Sequence, residues 1–300
     1  MTQRRSPFNI CQISLNLHRH IFDDLIGSLQ GALQDLGHDC TRSQNMMKVG
    51  RVNILIGNLV GLRDRPNAVN DLRRYPYTAY QLGQMDARIG LAAYNGPYYR
   101  ILEGAVRIWD YSPANLDFPA RTDLRDKVSF LPPAYHRSLE HFIPAENQDI
   151  DVLFYGARSE RRTRIIEQLR AAGVNAVSLF GVYGEALHDQ LRRAKIVLNV
   201  HGTADLVVLE TVRLSFLLAN RCFVVSQAAE YDPYGDGLVF AEYGQLTQAC
   251  LHWLEQGREP RRAVAERGYA AMRQDDMAAR LSREIASLPI EQLSPAAVPR

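Results

Sequence analysis

Apolar positions along the chain fall into short continuous runs that alternate with longer stretches of helical spacing. The run FNICQISL at Phe8–Leu15 predicts a strand. Phe22–Leu36 then places Phe22, Leu25, Ile26, Leu29, Leu33 and Leu36 on one helical face, and Gly37 is the expected stop. Val52–Ile56 (VNILI), Tyr77–Leu82 (YTAYQL) and Val106–Tyr111 (VRIWDY) predict further strands, the last after a helix over Tyr98–Ala105. The segment Leu131-Pro132-Pro133-Ala134-Tyr135 halts the pattern, because adjacent prolines favour extended chain and stop a helix. A crossover between two domains is therefore expected between about Phe130 and Ile150.

The alternation then restarts. Asp149–Tyr155 (DIDVLFY) predicts a strand closed by Gly156, and Arg161–Ala172 a helix with Ile165, Ile166 and Leu169 on one face. Strand Ala176–Phe180, a helix carrying Leu187 and Leu191, and strand Ile196–Val200 follow. The loop His201–Asp205 leads to an expected helix Leu206–Ala219, apolar almost all round and hence buried, with Glu210 and Arg213 in its first two turns. Cys222–Ser226 predicts another strand, and the chain from Leu246 onward reads as mostly helical.

Strands separated by helices imply βαβ units and parallel sheets. The fold class expected is α/β, with two Rossmann-like doubly wound domains facing a cleft. The expected organisation is an N-terminal domain over residues 1–135, a C-terminal domain over 136–285, and a tail over 286–300. A length of 300 residues accommodates two cores. With 46% hydrophobic and 23% charged residues and no apolar run of about 18, a soluble, cytoplasmic protein without a transmembrane segment is expected. The N-terminal segment is polar and basic, without the apolar core of a signal peptide. A net charge of +2 gives no reason to expect nucleic acid as a partner. Cys11, Cys40, Cys222 and Cys250 lack paired or zinc-type spacing, so neither a disulfide nor a structural metal is expected.

Ligands of doubly wound sheets bind beyond the carboxyl ends of the strands, so the loops there carry the candidates. Gly156-Ala157-Arg158-Ser159-Glu160-Arg161-Arg162 follows a strand and opens a helix. Such a terminus offers free N–H groups and a positive dipole end for phosphate, and Arg158 and Arg161 add charge-assisted hydrogen bonds. The same segment also reads as an exposed turn capped by Ser159. Gly181, Val182, Tyr183 and Gly184 form either a backbone cradle for a planar base or a plain strand-to-helix turn. Glu210 suits ribose hydroxyls, or pairs with Arg213 three residues on. His201 ends a strand, either as a structural or as a catalytic residue. His18 and His20, after the first strand, are candidates for a general base toward an acceptor hydroxyl, or exposed loop residues.

Taken together, FYGARSERR, LFGVYGE, AKIVLNVH and LETVRLSFLLANRCFVVSQ resemble the donor-binding domain of bacterial group 1 glycosyltransferases of the GT-B type. The likeness covers about Asp149–Met272, including Asp236-Gly237-Leu238-Val239-Phe240 and Tyr243–Leu246. It implies diphosphate held at Gly156 and Arg158 or Arg161, donor ribose at Glu210, and a small residue, Ser226, closing the next strand. Leu209 and Arg213 flank the ribose-binding glutamate. Retaining members carry two glutamates separated by seven residues, but here the first position is Gly202.

The function expected is transfer of a sugar from a nucleoside-diphosphate-sugar to an acceptor hydroxyl, without a metal and with no separate cofactor. The acceptor class stays open among glycan, lipid-linked saccharide and protein, and peripheral membrane contact is compatible with it. The alternatives are a non-catalytic GT-B protein that binds nucleotide or glycan for a partner enzyme, and a related enzyme such as a sugar-nucleotide epimerase.

Overall fold

The computed structural model describes residues 6–14, 19–57, 75–83, 97–116, 124–204 and 208–293. The chain divides into two compact units, Met1–His136 together with Met277–Arg300, and Arg137–Asp276.

In the first unit, strands β1 (Pro7–Ile13), β2 (Asp39–Gln44), β3 (Val52–Gly57), β4 (Thr78–Gln81), β5 (Arg107–Asp110) and β6 (Val128–Phe130) form one sheet in the order β2-β1-β3-β4-β5-β6. Every pairing is parallel. All six residues of β3 are buried, as expected of a central strand covered on both faces. Helix α1 (Asp23–Asp35) buries Leu25, Ile26, Leu29, Ala32 and Leu33, and Gly37 ends it at φ +83°. Helix α2 (Pro97–Gly104) contributes Tyr98, Ile101 and Leu102 to a core shared with Leu55, Ala79 and Ile108.

The second unit holds β7 (Ile150–Tyr155), α3 (Glu160–Ala171), β8 (Ala176–Leu179), α4 (Gly184–Arg193), β9 (Ala194–Asn199), α5 (Thr211–Ala219), β10 (Val224–Gln227), β11 (Val239–Ala241), α6 (Leu246–Glu255) and α7 (Arg258–Gln274). Its sheet runs β11-β10-β9-β7-β8, again parallel throughout. Val152 and Phe154 of β7, Ile196 and Leu198 of β9 and Val225 of β10 pack with Ile165, Ile166 and Leu169 of α3. The chain enters this unit past Leu139, where the buried Asn220 side chain anchors it. Asn220 Oδ1 accepts from the N–H groups of His141 and Phe142 at 2.7 and 2.9 Å, and its Nδ2 donates to Leu139 O and Phe216 O.

Two sequence expectations need correction. Residues 277–285 do not close the second unit. Helix α8 (Met277–Ala286) buries Met277, Leu281 and Ile285 and packs against α1 of the first unit, and the one-turn helix Ile290–Leu293 lies near β3. An amphipathic stripe shows that a helix docks, not which core receives it. The expected helix Leu206–Ala219 begins only at Thr211. Residues 205–207 lie outside the described residues, and Glu210 is the N-cap, at φ −74° and ψ 62°. A run that is apolar at nearly every position carries no phase from which to read a start.

Candidate functional site

In the second sheet, β8 and β9 flank β7, so the strand order reverses between β7 and β9. That reversal opens a crevice beyond their carboxyl ends. The loop after β7 begins at Gly156 and the loop after β9 at Val200, so the topology alone brings Gly156–Arg162 and His201 together. Glu210, at the start of α5, joins them.

Glu210 is the hub. Its Oε2 accepts from Asn199 Nδ2 and from His201 Nδ1, each at 3.0 Å, and its Oε1 lies 3.8 Å from Arg162 Nη2. Burial alone would raise its carboxyl, but the His201 hydrogen bond and charge, with Arg213 and Asn199, hold it down to about 2. His201 is fully buried, and its Nε2 donates to Ala228 O at 3.1 Å. Both ring nitrogens thus face acceptors, which only the doubly protonated ring satisfies. Burial pulls the His201 pKa down, and Glu210 outweighs it, so the net shift is upward. A ring with no exposed surface and both nitrogens engaged cannot reach a sugar. In this structure the buried His201 ring holds Glu210 in place.

Three arginines surround this pair. Arg162 donates from Nε to Val200 O at 2.8 Å and from Nη1 to Ala157 O at 2.9 Å, tying the two loops together. Its pKa is pushed down to about 10 by burial and by Arg213, against the pull of Glu210. Arg213 donates from Nη1 to Asn199 Oδ1 at 2.6 Å. Its other terminal nitrogen explains Gly156: a Cβ there would lie 2.9 Å from Arg213 Nη2, and the backbone sits at φ +141°. Arg161 donates to Gln227 Oε1 at 3.2 Å and stacks over the Tyr243 ring at 3.8 Å. Asn199 Nδ2 also reaches Ser226 Oγ at 2.9 Å, which brings Ser226 into the network.

Ser159 caps α3, accepting from the Arg162 N–H at 3.4 Å, and Arg158 is exposed beside it. Leu209 is buried beside Glu210. Gly181 and Gly184 sit at φ +72° and +57° with open space around them, so backbone conformation requires glycine there. They flank half-buried Val182 and Tyr183 after the edge strand β8, and burial raises the Tyr183 phenol pKa. In the first unit, His20 accepts at Nε2 from Arg19 and donates from Nδ1 to Asp23, so its base lone pair is engaged. His18 lies outside the described residues. Sequence reasoning passed over Asn199 and Gln227, and placed Arg162 in the candidate loop without giving it a role of its own. Asn199 could have been found: it is the polar residue in the apolar run IVLNV, at the strand's carboxyl end.

No protein-family model matches the chain. Two uncharacterized proteins of Acanthamoeba polyphaga mimivirus align with it, at 29% identity over 114 residues and 25% over 178. These alignments cover 36% and 56% of this chain, which spans only 13% and 24% of the length of those curated relatives. Solved structures superpose over nearly the whole chain. An alpha-glucosyltransferase in complex with UDP and a 13-mer DNA matches with TM-score 0.60 and 8% identity, covering 93% of this chain and 98% of its own. Sucrose-phosphate synthase from Thermosynechococcus elongatus gives 0.58 and 11%, with the same coverages. AviGT4, a glycosyltransferase of avilamycin A biosynthesis, gives 0.55 and 13%, covering 97% and 99%.

The fold is that of the GT-B glycosyltransferases. Within it, the Glu210 cluster occupies the carboxyl-end crevice of the second Rossmann-like domain. Among the described residues, no helix of this GT-B chain is long and apolar enough to cross a membrane.

Proposed function

We propose that the chain is a glycosyltransferase that moves a sugar from a nucleoside-diphosphate-sugar to an acceptor hydroxyl, with the donor bound at the Glu210 cluster. The observation that carries this is charge. Arg161, Arg162, Arg213 and a doubly protonated His201 gather around one carboxylate, so the site holds a surplus of positive charge at a strand-end crevice. Such a surplus suits a diphosphate, whose negative charge grows as the sugar leaves. Glu210 Oε2 is already occupied, while Oε1 keeps acceptor capacity for the ribose hydroxyls. With arginines neutralising the leaving group, the reaction needs no metal. The acceptor is a glycan, a lipid-linked saccharide or a protein, and the protein acts in the cytoplasm.

Calorimetric titration with a panel of nucleoside diphosphates tests this reading. One diphosphate should bind, and Glu210→Ala should weaken it by about tenfold or more, equivalent to at least ~1.4 kcal/mol. Arg161→Ala should weaken the diphosphate while sparing the nucleoside. No binding by any member of the panel would overturn the assignment.

Gly202 supports a second reading, of nucleotide binding without transfer, because retaining relatives of the resembled family carry a glutamate there. A Cβ on Gly202 would stand 3.7 Å from the Arg162 guanidinium, so that guanidinium borders the place a carboxylate would occupy. A nucleotide-sugar bound but neither transferred nor hydrolysed would favour this reading.

A further inference from the structure

Strand β9 carries the Glu210 cluster at its carboxyl end and a cavity of about 220 Å³ near its amino end, beside Lys195. From Lys195 to His201 is six residues of extended chain, roughly 20 Å at 3.3 Å per residue. The two places are therefore separate. The cavity's basic lining is Lys195, Arg221, Arg258, Arg261 and Arg262, and its acidic lining is Glu146 and Glu266.

Two of these cations are already neutralised. Lys195 Nζ lies 2.6 Å from Asp151 Oδ1, and Arg221 Nε lies 3.3 Å from Glu266 Oε2. Arg258 and Arg262 are left against Glu146, Arg261 also feels the charge of Asp151, and none of the three forms an ion pair within 4.0 Å among the described residues. All three stand in the first turns of the long helix α7, at three- and four-residue spacing that puts them on one face. Cations at a helix N-terminus oppose its dipole, so this placement costs stability unless an anion offsets it.

Arg261 shows that the cavity is built rather than incidental. It is only 6% exposed, yet among the described residues its hydrogen bonds all come from Nη1, to Trp253 O at 2.7 Å and Leu254 O at 3.4 Å. The cap on the end of α6 explains one terminal nitrogen. Arg261 also lines the cavity, where a ligand oxygen could accept from the guanidinium nitrogens the cap does not use.

We propose that this cavity is a second anion site, one that takes a phosphate or diphosphate group. It is smaller than the ~300–1,000 Å³ usual for drug-sized ligands, which suits a phosphoryl group and not a whole nucleotide-sugar. Ile143, 70% exposed, borders the opening, so the phosphate belongs either to a small molecule or to a lipid headgroup.

Calorimetry of the full chain with pyrophosphate separates this site from the donor site. The exposed pair Arg258→Glu/Arg262→Glu should weaken one binding event by about tenfold or more. Arg161→Ala should leave that event unchanged. If the donor reading fails, a single event should remain, still lost in the double variant. Flotation with vesicles of three parts phosphatidylcholine to one part phosphatidic acid distinguishes the sources. Recruitment that pyrophosphate competes away, and that the double variant lacks, assigns the group to a headgroup. Pyrophosphate binding without recruitment assigns it to a small molecule. Pyrophosphate binding unaltered by the double variant, or no binding of either probe, overturns the proposal.

Discussion

His201 Nδ1 donates to Glu210 Oε2 at 3.0 Å, and the same imidazole donates from Nε2 to Ala228 O at 3.1 Å. The buried ring is thereby held between the strand-end loops after β9 and β10, its two acceptors favouring the protonated form, and it fixes the orientation of the carboxylate.

The pH dependence of stability follows from that pair. The His201 pKa is raised above its ordinary 6.5, so its contribution is complete below 6.5 and is lost as pH rises through the raised value. Glu210 is lowered from 4.5 to about 2, so its contribution is complete above 4.5 and is lost as pH falls toward 2. The pair supports the fold fully between about 4.5 and 6.5. Thermal melts should show Tm falling as pH rises above this window, and His201→Gln should flatten that alkaline limb. Parallel limbs in both proteins would remove His201 from the account.

Two glycines should respond to alanine by very different amounts. Gly156→Ala forces a side chain into φ +141° and within 2.9 Å of Arg213 Nη2, and should cost roughly 1–3 kcal/mol along with nucleotide affinity. Gly202→Ala adds a Cβ at an ordinary 3.7 Å from Arg162 with no positive φ to overcome, and should change stability by less than about 0.5 kcal/mol. Urea titration of both variants makes the comparison, and similar losses would contradict it.

Asn220→Ala strips the backbone N–H groups of exposed His141 and buried Phe142 of their shared acceptor. Leaving the buried donor unpaired should cost roughly 1–3 kcal/mol, readable as a lower urea midpoint at unchanged m-value. A loss below about 0.5 kcal/mol would show that water replaces the amide.

Thr211 Oγ1 is buried at the first position of α5 without a hydrogen-bond partner among the described residues. Thr211→Val replaces that hydroxyl with a methyl group of similar shape, so stability should hold or rise by about 1 kcal/mol. A marked fall in Tm would mean that the hydroxyl is paired in solution.

Most of the strands legible in the sequence share a physical property. β1, β3, β4, β5, β7, β9 and β10 are dominated by buried positions and read as apolar runs, while β8, at a sheet edge, was legible despite having one buried residue. The strands that went unread, β2, β6 and β11, all lie at sheet edges. There DCTRSQ alternates burial, and the three-residue VSF and VFA are mostly half-buried, so no continuous run marks them. The site divides likewise. Gly156, Glu210 and Arg213 stood out because a glycine after a strand and charges in an apolar run are local anomalies. Arg162 did not, because its significance lies in reaching Val200 and Glu210, 38 and 48 positions further on, which no local pattern encodes.

The return of helix α8 to α1 has a consequence for how the protein is made. The first Rossmann-like unit takes its covering helix from the end of the chain, after the whole second unit has been translated. While residues 137–276 emerge from the ribosome, the α1 surface that receives Met277, Leu281 and Ile285 waits uncovered. The unit begun first is thus finished last, and a chain cut short at Asp276 would leave that apolar surface open to aggregation.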